Sequence, residues 1–126
     1  MGRALDILLG IASGLQAMHA LGVGHFDIKP SNIILREGEG SRMGTRDAVL
    51  VDFGLAGRHL RPGCGTIEYG APELWMPAKK EASAAPSTAA DVYSFACLIF
   101  ETLSGKTLFA GPNEVAVISM HVSHDG

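Results

Sequence analysis

Positive charge is sparse in this 126-residue chain: ten Lys and Arg stand against thirteen Asp and Glu, for a net charge of −3. The basic residues are scattered, with Lys79-Lys80 the best cluster, so the basic stripe of a nucleic-acid binder is missing. Cysteine is scarce too. Cys64 and Cys97 lack metal-ligand spacing and suggest no disulfide framework, and Cys97, inside "FACLIF", reads as a small core residue. No apolar run reaches the roughly 18 residues of a membrane-spanning helix. The opening "MGRALDILLG" is broken by Asp6, too early for the apolar core of a signal peptide, and "MGRALD" lacks the Ser or Thr of a myristoylation signal. These absences point to a reducing, cytoplasmic setting. What is present, 47% hydrophobic and 18% charged residues, is the balance of one globular domain with a core of its own.

Periodicity predicts a helix over residues 3–21, where Leu5, Leu8, Leu9, Ile11, Ala12, Leu15, Met18 and His19 recur at spacings of three and four. Gly22 and Gly24 end it, and Met18 and His19 read as helix-face residues rather than ligands. A loop, His25–Asn32, leads to a short apolar strand, Ile33–Leu35. Polar, Gly-rich residues 36–47 separate it from a second strand, Ala48–Val51, which predicts a hairpin with a long tip. "GEGSRMG" in that tip has the spacing G-x-G-x-x-x-G and no helix pattern after it, so it reads as a turn and not a phosphate loop. Residues 52–72 show no regular period. "MPAKKEASAAPSTAA" reads as a surface connection. "ADVYSFACLIFETLS", residues 90–104, is apolar nearly all round and predicts a buried helix ended by Gly105. The tail holds a loop and a short last helix. The fold class expected is mainly α with a small β-hairpin, an α+β arrangement without internal repeats.

The chemistry concentrates in "VGHFDIKPSNIIL", residues 23–35, which sets Asp27, Lys29 and Asn32 between two apolar runs; "VDFG" and "GTIEYGAPE" follow. Phosphoryl transfer requires this kind of set. A carboxylate orients the attacking hydroxyl and accepts its proton, oxygen ligands hold a divalent cation, and a separate cation meets the phosphate charge. A hairpin between Asn32 and Asp52 brings its two ends side by side, so both can face one metal cluster. Each element alone is weak evidence. A single Asp is more often a cap or turn residue, and "DFG" is a common strand ending. Their ordered combination is specific.

In that order, "HFDIKPSN", "DFG" and "APE" resemble the catalytic loop, metal loop and activation-segment end of eukaryotic protein kinases. "DVYSFACLIFETLSG" is similar to the buried kinase helix that follows, and "LFAGPNEV" to the loop after it. The resemblance covers nearly the whole chain, with insertions at 36–47 and 77–89. It implies a truncated C-terminal lobe without its N-terminal lobe, with ATP and Mg²⁺ as cofactors and a protein as substrate. Under it, Asp27 is the base or hydroxyl-orienting carboxylate, Lys29 lies near the transferred phosphate, and Asn32 and Asp52 bind magnesium. Ile33, Ile34 and Leu35 form the floor under the adenine. His25 and Phe53 stack in the core behind the loops, and Asp91 hydrogen-bonds the catalytic-loop backbone. Gly54 of "DFG", Thr66 of the peptide-positioning loop and Glu73 of "APE" are structural or substrate-positioning residues. Lys29 and Gly65-Thr66 resemble the serine/threonine class.

The sequence departs from the family pattern at Phe26, where most regulated kinases have an Arg that pairs with a phosphorylated activation loop. Between Gly54 and Ala71 the only hydroxyl residues are Thr66 and Tyr69, so receiver and phosphosite are missing together. Activity is therefore expected to be independent of phosphorylation there. No Lys precedes His25, so the Gly-rich loop, strand Lys and partner Glu of the N-terminal lobe are not placed, and no Arg after Arg61 can meet Glu73. The isolated chain is expected to be weakly active and short of neighbours for its buried helix. Two other readings stand beside the kinase: a non-catalytic, pseudokinase-like binding module, and a small-molecule kinase of related fold. The second seldom carries an "APE" segment after a "GT".

Overall fold

A computed structural model describes residues 2–37, 46–59, 63–76 and 88–124. In chain order these form helix α1 (Gly2–Ala20), strands β1 (Ile33–Glu37) and β2 (Arg46–Leu50), helix α2 (Ala89–Ser104) and helix α3 (Glu114–Ser123). Short 3₁₀ turns occur at Pro30–Asn32 and Pro72–Leu74.

α1 forms because Leu8, Ile11 and Leu15 fall on one stripe, and these are its buried residues. It closes with Gly22 in the left-handed region at φ 68°. Gly22 N donates to His19 O at 2.9 Å and Val23 N to Met18 O at 3.1 Å, the paired closure that a left-handed glycine permits. The hairpin is antiparallel, with Ile33 opposite Leu50, Leu35 opposite Ala48 and Glu37 opposite Arg46. Both strands reach further toward the tip than the apolar run suggests, because backbone pairing continues through Arg36 and Asp47, whose side chains need no burial. The remainder of the tip, 38–45, and most of the Ala, Ser and Pro-rich connection, 77–87, lie outside the described residues.

Two clusters make the core. Ile11, Leu15, Ile28, Leu50 and Leu98 pack together, with Ile7, Ile33, Ala48 and Phe95 against them. Phe26, Ala71 and Ala90 form the second, with Leu55 and Tyr93 at its edge. Burying each large aliphatic or aromatic side chain contributes about 1.5–3 kcal/mol, so these two groups hold the loop 25–32 between α1, the hairpin and α2.

α2 is buried on one side only, in keeping with a helix expected to be short of neighbours. Its buried residues are Ala90, Asp91, Ser94, Cys97 and Leu98, all on one side, while Val92, Phe100 and Leu103 are exposed. An all-apolar helix is buried only as far as neighbours surround it, and among the described residues they cover one face. Gly105 ends the helix at φ 72°, its N–H bonded to Glu101 O at 2.8 Å. Cys64 and Cys97 are both free thiols. Burial pushes the Cys97 thiol up to about 11, which keeps it an uncharged core group. No described helix is long and apolar enough to cross a membrane.

Candidate active site

Asp91 organises the loop 25–32. It sits in the first turn of α2 with no exposed surface. One carboxylate oxygen accepts from His25 N at 2.7 Å and the other from Phe26 N at 2.7 Å. His19 Nε2, from the last turn of α1, reaches Oδ2 at 2.8 Å. A buried carboxylate is tolerable only with such partners. The same bonds hold Phe26 in the left-handed region at φ 63°, a conformation costing roughly 1–3 kcal/mol for a residue with a side chain. The Phe26 ring is buried in the second cluster and lies over Gly24, where a Cβ would come within 2.4 Å of it. Gly24 and Gly57 exchange backbone hydrogen bonds at 2.8 and 3.0 Å, fastening the segment after "DFG" to the loop.

From this support Asp27, Lys29, Asn32 and Thr66 converge. Asn32 is buried, and its Nδ2 donates to the Asp27 carbonyl at 2.8 Å and to Asp27 Oδ2 at 3.1 Å. Lys29 Nζ lies 3.1 Å from Asp27 Oδ2 and donates to Thr66 Oγ1 at 2.7 Å. The Thr66 hydroxyl donates onward to Asp27 Oδ1 at 2.8 Å. The result is a closed polar ring around one carboxylate, whose side chain is 13% exposed. Behind it, Asp27 N donates to His25 Nδ1 at 3.3 Å, and the His25 Nε2–H donates to Val51 O at 3.0 Å. Accepting on one nitrogen and donating from the other is the pattern of neutral imidazole.

Asp52 lies at the foot of the hairpin. Val51 N donates to Asn32 O at 2.9 Å, which sets the strand end beside the loop. Asp52 itself adopts φ 61°, is exposed, and accepts from Gly54 N at 3.2 Å. Among the described residues it makes no direct hydrogen bond to Asp27 or Asn32. Phe53 meets the His25 ring edge-on at 5.3 Å between centroids but remains 55% exposed, so it rims the core rather than joining it. Ile33 packs inward, whereas Ile34 and Leu35 are exposed, as is Glu73 in the Pro72–Leu74 turn. The stretch around Tyr69 is fastened to α2: Tyr69 OH donates to Glu101 Oε2, and the Ser94 hydroxyl donates to Tyr69 O at 2.7 Å. Burial, followed by the bond to Glu101, raises the Tyr69 phenol well above its usual range, so it stays a donor.

Sequence reasoning missed His19 and the Tyr69–Ser94–Glu101 anchor. His19 meets Asp91 across 72 positions of chain, and no local pattern encodes such a meeting. A polar residue in the last turn of an otherwise apolar stripe was the one available signal.

Chemically, the arrangement offers a restrained carboxylate, an ammonium beside it, and two further oxygen-bearing side chains at the mouth. Residues 2–124 match the family model for the protein kinase domain. The chain is 36% identical over 130 residues to serine/threonine-protein kinase PkaB of Streptomyces coelicolor, covering 95% of this chain and 29% of that protein. It is 37% identical over 133 residues to serine/threonine-protein kinase pkn2 of Myxococcus xanthus, covering 97% of this chain and 15% of that protein. It is 38% identical over 117 residues to sporulation protein kinase mde3 of Schizosaccharomyces pombe, covering 88% of this chain and 20% of that protein. The chain thus spans less than a third of the length of these relatives. With the family model spanning nearly all of it and relatives of serine/threonine type along most of its length, the chain belongs to the protein kinase domain family.

Proposed function

We propose that these residues are the C-terminal-lobe part of a serine/threonine protein kinase catalytic domain, which transfers the γ-phosphoryl group of ATP to a protein hydroxyl. The observation that carries this reading is the polar ring around Asp27. Asp27 orients the acceptor hydroxyl and accepts its proton, and Lys29 supplies positive charge to the phosphate in flight. The Asn32 amide oxygen and the Asp52 carboxylate are hard oxygen donors of the type Mg²⁺ takes. No group of three or more His, Cys, Asp or Glu among the described residues could hold a metal by itself. Mg²⁺ in such sites is typically held by one or two protein oxygens together with substrate phosphates and waters. When bound, Mg²⁺ neutralises charge on the phosphates. Ile34, exposed at the hairpin, offers apolar surface to the adenine. Asp91 fixes the loop, and Glu73 and Gly54 shape the segments on either side. Two free thiols suit a reducing, cytoplasmic setting.

In the natural full-length protein, Asp27→Asn is expected to lower kcat for peptide phosphorylation by roughly 10²–10⁴-fold, the usual worth of a positioned general base, while nucleotide binding persists. Undiminished turnover in that variant would falsify the assignment. The non-catalytic reading has one observation in its favour. Phe26 fills with a buried ring the position where an Arg would receive a regulatory phosphate. The same feature suits an active enzyme whose activation segment is held by apolar packing instead of phosphorylation. Lys29, Asn32 and Asp27 have no structural need to be gathered in a mere scaffold.

A further inference from the structure

His121 is a buried polar residue that the chemistry at Asp27 leaves unused. It lies in the last turn of α3, 1% exposed, with its imidazole enclosed by Tyr93 of α2 and by Phe109. Nδ1 lies 2.7 Å from Tyr93 OH, a contact that either tautomer of the ring could make. The other nitrogen decides between them. The backbone of Glu68 and Ile67 faces it and favours the charged ring, as carbonyl oxygens do and N–H groups do not. Burial works the other way and keeps the ring neutral, with a single N–H. That proton meets acceptors only on Nε2, so Nδ1 accepts from Tyr93. Among the described residues Nε2 has no other hydrogen-bond partner, and a buried N–H is costly to leave unmade.

The segment that His121 faces is one hydrogen-bonded turn. Tyr69 N and Gly70 N donate to Thr66 O at 3.1 and 2.8 Å. Its far end is fastened to α2 through Tyr69, and Trp75 Nε1 donates to Gly70 O at 3.2 Å. Its near end is Thr66, whose hydroxyl takes Lys29 Nζ at 2.7 Å and donates to Asp27 Oδ1 at 2.8 Å. Ile67 and Glu68 stand between the two ends, against α3, which also packs on the Pro72–Leu74 turn. A shift of their backbone is passed to Thr66, the next residue, and so to the carboxylate it bonds.

We infer that His121 is a positioning residue for phosphoryl transfer: its Nε2–H holds the backbone of Ile67 and Glu68, and that backbone sets the Thr66 hydroxyl against Asp27. This inference rests on the phosphotransfer reading of the Asp27 site.

Two variants of the full-length protein separate the two nitrogens. An Asn side chain ends where Nδ1 stands and keeps a partner for Tyr93, whereas a Gln amide reaches as far as Nε2 and can still donate to the backbone of Ile67 and Glu68. With ATP, Mg²⁺ and a Ser/Thr peptide, His121→Asn is expected to lower kcat/KM for the peptide about tenfold, and to leave KM for ATP within about twofold, since small misplacements near a catalytic group carry losses of this order. His121→Gln should recover most of the loss. Thr66→Ala should lower kcat/KM as well, and adding His121→Asn to it should cost little more, because both act through the same hydroxyl. Ring-nitrogen NMR of the unaltered, histidine-labelled protein reads the tautomer without any substitution, and a proton on Nε2 is expected. Full activity in the Asn variant, equal losses in the Gln and Asn variants, additive losses with Thr66→Ala, or a proton on Nδ1 would each overturn the inference and leave the Asp27 reading standing. No transfer to any peptide by the unaltered protein overturns that reading and the inference together.

Discussion

Asp91 is the residue on which the geometry of the loop 25–32 turns. Its two oxygens take the N–H groups of consecutive residues, His25 and Phe26, and a third bond from His19. Removing it leaves two buried backbone donors without acceptors and frees Phe26 from the bonds that hold its positive φ. Asp91→Ala should destabilise the domain by about 3–5 kcal/mol, read as a lower urea midpoint with the slope unchanged. A midpoint that does not move would show that the loop keeps its shape by packing alone. Gly24 and Phe26 illustrate the same interdependence sterically. The ring occupies the volume that any side chain at position 24 would need, so the aromatic substitution at 26 and the glycine two residues earlier form one unit.

At the scale of elements, α3 is tied to α2 and to the Ile67–Glu68 segment through His121. Its Nδ1 accepts from Tyr93 OH at 2.7 Å, and burial raises the Tyr93 phenol to about 12, so it remains the donor. Nε2 is buried without a hydrogen-bond partner of ordinary geometry, although it lies toward the backbone of Glu68 and Ile67. The Phe109 ring stands edge-on to the imidazole at 4.6 Å. Desolvation dominates and lowers the His121 pKa below its ordinary 6.5, with His124 adding to the effect and Glu68 opposing it. The sign follows from proton uptake. Above pH 6.5 the imidazole is neutral in both folded and unfolded chains and contributes no pH dependence. As pH falls below 6.5 the unfolded chain takes up the proton first, so stability is lost through the window down to the depressed folded value. His121→Asn, whose amide oxygen can still accept from Tyr93, should flatten the fall in melting temperature between about pH 7 and 5. Parallel curves for the two proteins would assign the acid sensitivity to other groups.

For the molecule as a whole, the outstanding feature is an open apolar groove. Leu5, Leu9, Phe95, Ile99 and Leu103 line a space of about 440 Å³ between α1 and α2. Leu9 is 57% exposed and Leu103 62%. Contiguous apolar surface of this kind promotes association, at about 25 cal/mol for each Å² removed from water. The 126-residue chain expressed alone is expected to self-associate, and Leu9→Glu with Leu103→Glu to shift it toward monomer in sedimentation velocity. A wild-type chain that sediments as a monomer would refute this.

Much of the fold follows from local pattern. The stripe Leu8, Ile11, Leu15 makes α1, two short apolar runs around a polar tip make the hairpin, and Gly22 and Gly105 end helices because glycine adopts positive φ without strain. Spacing in the chain also placed Asp27, Lys29 and Asn32 close together, since three residues in one short loop cannot be far apart. Two things needed the assembled molecule: the bond from Thr66 to Asp27 and the reach of His19 to Asp91. Each depends on contacts between residues distant in sequence. A side chain's own neighbours in the chain do not record which distant surface it will meet.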